Sequence, residues 1–289
     1  MRVLHTILLF IILCTLFSCQ EDNSDNLYQG GSFVQFADSA YNMPVTQDEP
    51  VFEVPVVFSS AVSYDRKVIV DVDPKKSNAI EGYHYSIMNR NITIPAGEMK
   101  ATVQLKGHYA HLQPSDSLAV TLRIVGLEDY VNELYGLSTN VQIVKVLPFD
   151  IHDYVGDLLL TCTFPYSTSS TTDFALKSEY VNDSTLLVKD VFETGRNLKL
   201  YFHTGKDNPF DRDIEMRETV AFTDDNYGPV SMATVPNAPS YYLPEHRAFV
   251  LYLNAYLAQV GSFGSYYYIF QWMTPDEAIA FKNGMSTLH

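Results

Sequence analysis

The chain has 289 residues, enough for one large domain or two of ordinary size. Hydrophobic residues make up 46% and charged residues 18%, a balance that supports packed cores and excludes global disorder. A net charge of −15, from 34 acidic and 19 basic side chains, excludes nucleic acid as a partner and argues against an electrostatic hold on anionic lipid.

From Met1 to Phe17 a single basic residue, Arg2, precedes an apolar run that is short for a membrane span of about 20 residues. That is the shape of a secretory signal. Leu16-Phe17-Ser18-Cys19 resembles a bacterial lipobox, with an apolar residue three places before Cys and a small residue directly before it. Phe17 is bulkier than the usual lipobox residue at its place. The resemblance implies residues 1–18 as a signal peptide, cleavage after Ser18 and diacylglycerol on the Cys19 thiol. Residues 19–31 are then a flexible acidic tether, led by Gln20-Glu21-Asp22-Asn23-Ser24-Asp25-Asn26. Acidic residues directly after the lipidated Cys resemble the export signal of surface lipoproteins in Gram-negative gut anaerobes. This implies an outer-membrane protein facing the exterior and held by its lipid alone. Cys162 is then the one cysteine left in the folded part, and its apolar flanks predict a buried, inert thiol.

Residues 32–147 alternate with period two in short segments divided by turn residues. Strands are expected at Ser32–Ala37, Val51–Phe58, Lys67–Val72, Ile92–Ile94, Lys100–Leu105, Leu118–Val125 and Val141–Val146. Short strands at this spacing, with no convincing helix, predict an Ig-like β-sandwich. Ala79-Ile80-Glu81-Gly82-Tyr83-His84-Tyr85, then Ile92 to Glu98 with its Pro95-Ala96-Gly97-Glu98 turn, then Ala101-Thr102-Val103, resemble the Calx-β pattern. The resemblance implies a hairpin turned by Pro95 and Gly97 with Tyr85 packed beneath it. His84 stands where the family usually carries Asp. Some Calx-β domains bind Ca²⁺, with ligands that would correspond to Asp71, Asp73 and Glu81. The departure at His84 counts against a metal, and none is expected.

Leu147-Pro148-Phe149-Asp150 ends this pattern, and a second β domain is expected over 148–289. Its expected strands are Gly156–Phe164, Phe174–Tyr180, Thr185–Val191, Leu198–His203, Glu215–Phe222, Ala248–Tyr256 and Ser265–Met273. They predict a second sandwich or a small barrel. Asn182-Asp183 marks a hairpin, and Val230–His246, with Pro236, Pro239 and Pro244, reads as a surface loop. One short C-terminal helix is expected. Thr274 caps it, Pro275 opens it, Glu277 completes a capping box and Gly284 stops it. Ala278, Ile279 and Phe281 would face the body. The fold class is therefore all-β apart from that helix.

No catalytic signature is present. Gly261-Ser262-Phe263-Gly264 lacks the spacing of a nucleophile elbow, and neither a phosphate-binding P-loop nor a zinc-protease helix motif occurs. Asp211-x-Asp213-x-Glu215 starts like a calcium loop. Met216 and Phe222 stand where an EF-hand needs Gly and Glu, so it reads as a solvated acidic turn. His108 and His111 read as a surface pair without a third ligand. No cofactor follows, and no enzyme is expected. The aromatics, 20 Tyr and 17 Phe with one Trp, are the functional candidates. Tyr241, Tyr242, Tyr266, Tyr268 and Trp272 are the expected ligand-binding residues, since sugars stack apolar C–H faces on flat rings. In a strand Tyr266, Tyr268, Phe270 and Trp272 share one face, while Tyr267, Ile269 and Gln271 share the other. The layout resembles uncharacterised surface lipoproteins associated with polysaccharide uptake in gut anaerobes. It implies binding of an extracellular polysaccharide or oligosaccharide. The alternative is a structural or adhesive module that binds a neighbouring surface protein.

Overall fold

The computed structural model describes residues 32–125, 136–165 and 171–284. The expected signal, Cys19 and the acidic tether lie outside them. The N-terminal strands are β1 (Val34–Phe36), β2 (Ala40–Val45), β3 (Val51–Phe58), β4 (Arg66–Val72), β5 (Tyr85–Ile87), β6 (Asn91–Ile94), β7 (Lys100–Gly107), β8 (Leu118–Val125) and β9 (Ser138–Lys145). They form a four-stranded sheet, β1-β3-β7-β5, and a five-stranded sheet, β2-β9-β8-β4-β6. Period-two alternation drives the pairing of the two sheets: Val68, Val70, Val120 and Leu122 from one, and Val54, Val56, Val103 and Leu105 from the other, are fully buried in one core.

Two strands escape the pattern reading. β2 runs parallel to β9 at the sheet edge, burying Met43 and Val45 while Asn42 and Pro44 take the other face. Proline is tolerated there because an edge strand leaves one row of backbone donors unpaired. β5 is three residues long and carries Tyr85, 1% exposed in the core. The hairpin expected at Pro95 and Gly97 does not form: β6 pairs with β4 and β7 with β3 and β5, so the turn carries the chain from one sheet to the other. Beside β5, Gly82, at φ +79°, bends the chain so that its N–H meets the Tyr85 carbonyl at 2.7 Å. His84 Nδ1 accepts the Ile80 N–H at 2.9 Å, the acceptor task an Asp oxygen could also perform. Gly97, at φ +85°, occupies the third position of the Pro95–Glu98 turn, where a left-handed residue is required.

The buried Arg66 holds that turn from inside. Its guanidinium donates to the Ser60 and Glu98 carbonyls, each at 2.8 Å, and lies 3.7 Å over the Phe58 ring. Arginines also stand at the acidic residues Asp71 and Glu81. Arg90 bridges Asp71 and Glu81, and Arg123 stands 3.7 Å from Asp71. The Val72 backbone N–H, helped by these two arginines, holds the Asp71 carboxyl below its ordinary pKa. Asp73 instead accepts the Lys75 N–H in a turn.

The C-terminal strands are β10 (Gly156–Cys162), β11 (Thr172–Asn182), β12 (Thr185–Lys189), β13 (Leu198–Phe202), β14 (Ile214–Met216), β15 (Thr219–Asp224), β16 (Gly228–Thr234), β17 (Tyr241–Leu243), β18 (Ala248–Leu257) and β19 (Gly261–Met273). They make one ten-stranded sheet, β14-β13-β12-β11-β10-β19-β18-β16-β15, with β17 also paired to β18. The sheet curls until β14, at one end of that order, meets β17. Asp213 bridges Tyr241, the Ile214 N–H donates to the Ser240 carbonyl at 2.7 Å, and the Tyr242 N–H donates to the Arg212 carbonyl at 3.1 Å. This seam between β14 and β17 closes a small barrel around Leu158, Leu160, Leu200, Phe249, Leu251 and Phe270. Cys162 is buried in the wall, and burial pushes its thiol up to about 11, as an inert thiol requires.

Three expectations are corrected here. Val230–His246 is no simple loop: β16 and β17 lie in it, β16 pairing with the second half of β18 and β17 with the first. Pro229 escapes conflict because the pairing of β16 with β18 starts only at Ser231. The single strand expected at Glu215–Phe222 is two, β14 and β15, at opposite ends of the sheet order. In α1 (Pro275–Lys282) the capping box between Thr274 and Glu277 forms. Ala278 and Phe281 pack on Leu159 and Met273, but Ile279 points outward, 57% exposed.

Gly107 ends β7 against β2. A Cβ built there would come within 3.1 Å of Val45 Cβ and closer still to both Val45 methyl groups. Because Val45 is itself buried, Gly107→Ala is expected to lower stability by about 1–3 kcal/mol in denaturant unfolding.

Candidate functional site

Closure of the barrel decides which aromatic rings are available. β17, β18 and β19 run side by side, with Tyr242 opposite Phe249, Tyr252 opposite Tyr267 and Val250 opposite Ile269. Inward-pointing members of these strands are buried, and alternate members form the outer face.

The five residues expected to bind ligand divide accordingly. Tyr242 is 3% exposed and Tyr268 is fully buried, so neither ring is open to a ligand from outside. Tyr242 is held between Phe149 (4.9 Å) and Phe202 (5.7 Å), and its hydroxyl donates to the His203 carbonyl at 2.8 Å. Burial pushes its pKa up to about 12. Tyr266 stacks on Phe164 at 4.8 Å, half-buried at the rim of the core. Trp272 is half-buried at the end of the wall, donating to the Val155 carbonyl at 3.0 Å under the Arg247 guanidinium, 3.3 Å above the ring. Tyr241 alone among the five lies on the outer face, half-buried.

On β19 the expected ligand-binding residues, Tyr266, Tyr268 and Trp272, share the inner face. The outer face carries Tyr267, 59% exposed, and Ile269, 44% exposed. Across the strand, Tyr252 sits with its ring centroid 4.5 Å from that of Tyr267 and 32° from coplanar. Asn254 and Ser265, paired one step further along, add an amide and a hydroxyl. Ser262 donates to Asn254 Oδ1, which fixes the amide. Tyr241 extends the face onto β17, and Val250, 8% exposed, fills the space between. The result is a shallow apolar shelf on the barrel's outer wall, with two paired tyrosine rings and polar groups at one border. Such a surface can stack the C–H face of a planar-edged, hydroxyl-rich ligand while neighbouring polar groups meet its hydroxyls.

A second cluster, absent from the reading of the aromatics, sits at the seam. His203 is held on both ring nitrogens, by Asp211 at 2.8 Å and Glu215 at 3.3 Å. The acidic turn expected at Asp211–Glu215 is thus built around an imidazole. The Asp211 hydrogen bond raises the His203 pKa, with Glu215 adding to it. Burial works against the Asp211 carboxylate, yet the hydrogen bonds from His203 and from the Asp213 N–H outweigh it, and its pKa falls. On the sandwich, His108 meets Ser86 at 2.8 Å and His111 meets the Tyr83 carbonyl at 2.6 Å while stacking on the Tyr83 ring at 4.4 Å. Both histidines are thus engaged within the protein. No group of three or more metal-ligating side chains gathers among the described residues.

No family model and no curated protein matches the chain. Among solved structures, a protein of unknown function from Bacteroides ovatus is similar at 14% identity, with a TM-score of 0.37, 83% of this chain and 89% of that one covered. An auxiliary nutrient binding protein from Bacteroides thetaiotaomicron shares 13% identity at a TM-score of 0.33, covering 81% of this chain and 89% of its own. The apo form of a Calx CBD1 domain, at 16% identity and a TM-score of 0.33, covers 40% of this chain and 98% of its own. None of these likenesses transfers a ligand or a residue role.

The raised His203 pKa has a defined sign. Its ion pairing stabilises the fold fully below the unfolded value of about 6.5 and is lost as pH rises through the higher folded value. Thermal unfolding across pH should therefore show wild type exceeding His203→Gln most below about pH 6.5, with the gap narrowing above the folded value.

Proposed function

We propose that this chain is a non-catalytic lipoprotein, anchored in the outer membrane through Cys19 and facing the exterior, that binds extracellular glycan on the outer wall of its C-terminal barrel. The observation that carries the reading is the Tyr252–Tyr267 pair, two rings 4.5 Å apart on an exposed sheet face beside Asn254 and Ser265. Flat rings in adjacent strands make a rigid stacking surface whose ordering was completed on folding, so little conformational entropy is lost when a sugar lands on it. The N-terminal sandwich then spaces the barrel from the lipid. The acidic balance of the chain favours a neutral ligand on this face over a polyanion.

A second reading, docking to a neighbouring surface protein, is favoured by a different end of the barrel. Tyr227, at the β15–β16 turn, is 61% exposed; Val260, beside the β18–β19 turn, is 72% exposed; and Phe263 lies 6.3 Å from Tyr227. These are apolar groups at hairpin tips, where a protein partner could cover them.

Affinity gel electrophoresis across plant, host and microbial polysaccharides separates the two. Retardation on a polymer, reduced at least about tenfold in affinity by Tyr252→Ala with Tyr267→Ala, is expected from loss of two stacking rings. Retention that survives the double substitution would remove the shelf as the site. Retardation by no polymer, together with a partner that co-purifies with wild type and is lost on Tyr227→Ser, would favour the second reading.

A further inference from the structure

Residues 146–150 join the sandwich to the barrel, and beside this joint lies an open cleft of about 340 Å³. One wall is the β2–β3 loop of the sandwich, with Gln47 and Asp48. The other is the β13–β14 loop of the barrel, with Thr204 and Arg212, and Pro148 and Phe149 of the joint form the floor. Among the described residues no hydrogen bond or ion pair joins the two walls. Asp48 accepts the Thr46 hydroxyl at 2.5 Å within its own loop, and Arg212 pairs with Glu245 at 3.2 Å within the barrel. Domains in thin contact move relative to one another unless something fixes them.

The chemistry of the cleft is apolar below and neutral-polar at the sides. Phe149 is half-buried, and the barrel core sets its position through Tyr242 at 4.9 Å and Phe202 at 5.6 Å. Gln47 and Thr204 are exposed, have no side-chain hydrogen-bond partner among the described residues, and each offers both donors and acceptors. Glu245 already neutralises Arg212, so the walls hold no spare positive charge for an anion. Behind Phe149, the Tyr154 ring lies 6.2 Å away, and its buried hydroxyl has no hydrogen-bond partner among the described residues. Burial raises the pKa of that hydroxyl, and the cleft residues Tyr242 and Arg212 stand close enough to act on it in opposite senses. An orphaned hydroxyl beside the cleft is a group that a hydroxyl-bearing ligand would satisfy, directly or through water. The volume falls at the small end of the roughly 300–1,000 Å³ of small-molecule sites, which concentrate at domain junctions.

We propose that this cleft binds a neutral mono- or disaccharide, with an apolar sugar face laid on Pro148 and Phe149 and its hydroxyls bridging Gln47 of the sandwich to Thr204 of the barrel. Such a ligand supplies the polar link that the two walls lack. The inference rests on the saccharide reading of the chain but not on the tyrosine shelf, which is a flat surface on another part of the barrel.

The test is calorimetric titration of the full chain with glucose, galactose, mannose, xylose, maltose and cellobiose. Saturable binding of at least one of them at a single site is expected. Gln47→Ala and Thr204→Ala should each weaken it about fivefold, since each removes a hydrogen bond from a different wall. Both side chains are exposed, so both variants should unfold at the wild-type temperature. Tyr252→Ala with Tyr267→Ala should leave this binding unchanged. Sugar binding without polymer retardation would keep the cleft and remove the shelf, and polymer retardation without sugar binding would do the reverse. Absence of saturable heat with every sugar, binding that survives either wall substitution at full strength, or binding lost with the shelf tyrosines overturns the proposal.

Discussion

The seam between β14 and β17 is the constraint on which the C-terminal domain depends. Without it, β14 would be a bare sheet edge of three residues, and an unpaired edge is prone to non-native pairing. With it, the barrel interior is sealed and β17 is fixed in register against β18. That register sends Tyr242 inward, where its hydroxyl ties to His203, and Tyr241 outward. The two carboxylates that hold the His203 imidazole, Asp211 and Glu215, flank the Arg212 and Asp213 that reach the seam. Backbone pairing, a buried phenol and a charged triad thus converge on one short stretch.

The N-terminal sandwich solves a comparable problem with guanidinium groups. Arg66 gathers carbonyls from two turns and covers the Phe58 ring, while Arg90 spans Asp71 and Glu81. A planar fork with several donors suits both tasks, because it can satisfy oxygens from different segments at once. In this sandwich, positive charge at the acidic end is supplied by side chains fixed in the fold.

Much of the architecture was legible because a half-buried strand must alternate. Val51–Phe58 and Leu118–Val125 were bounded to the residue, and the Thr274–Glu277 capping box followed from local spacing. Legibility failed where partners, and not the strand itself, set the outcome. β2 exists because β9 offers it a parallel edge, despite Asn42 and Pro44. β17 is three residues long and acquires meaning only between β14 and β18. On β19 the alternation was clear, but both faces carry aromatic side chains, so hydrophobicity could not say which faced the core. The shelf was not legible for that reason: Tyr267 lay on the other face, and its partner Tyr252, fifteen positions upstream, carried no local signal.

The pairing of β10 with β19 has a kinetic consequence. Leu160 meets Phe270, so the first strand of the barrel waits for its neighbour until nearly the whole domain has been synthesised. The sandwich strands can condense early, but the barrel carries a long-range closure whose entropy must be lost before its contacts form, and such closures slow folding. Until β19 arrives, the apolar inner faces of β10 and β11 remain open to misassociation. A chain built this way folds best at low local concentration, where such encounters are rare.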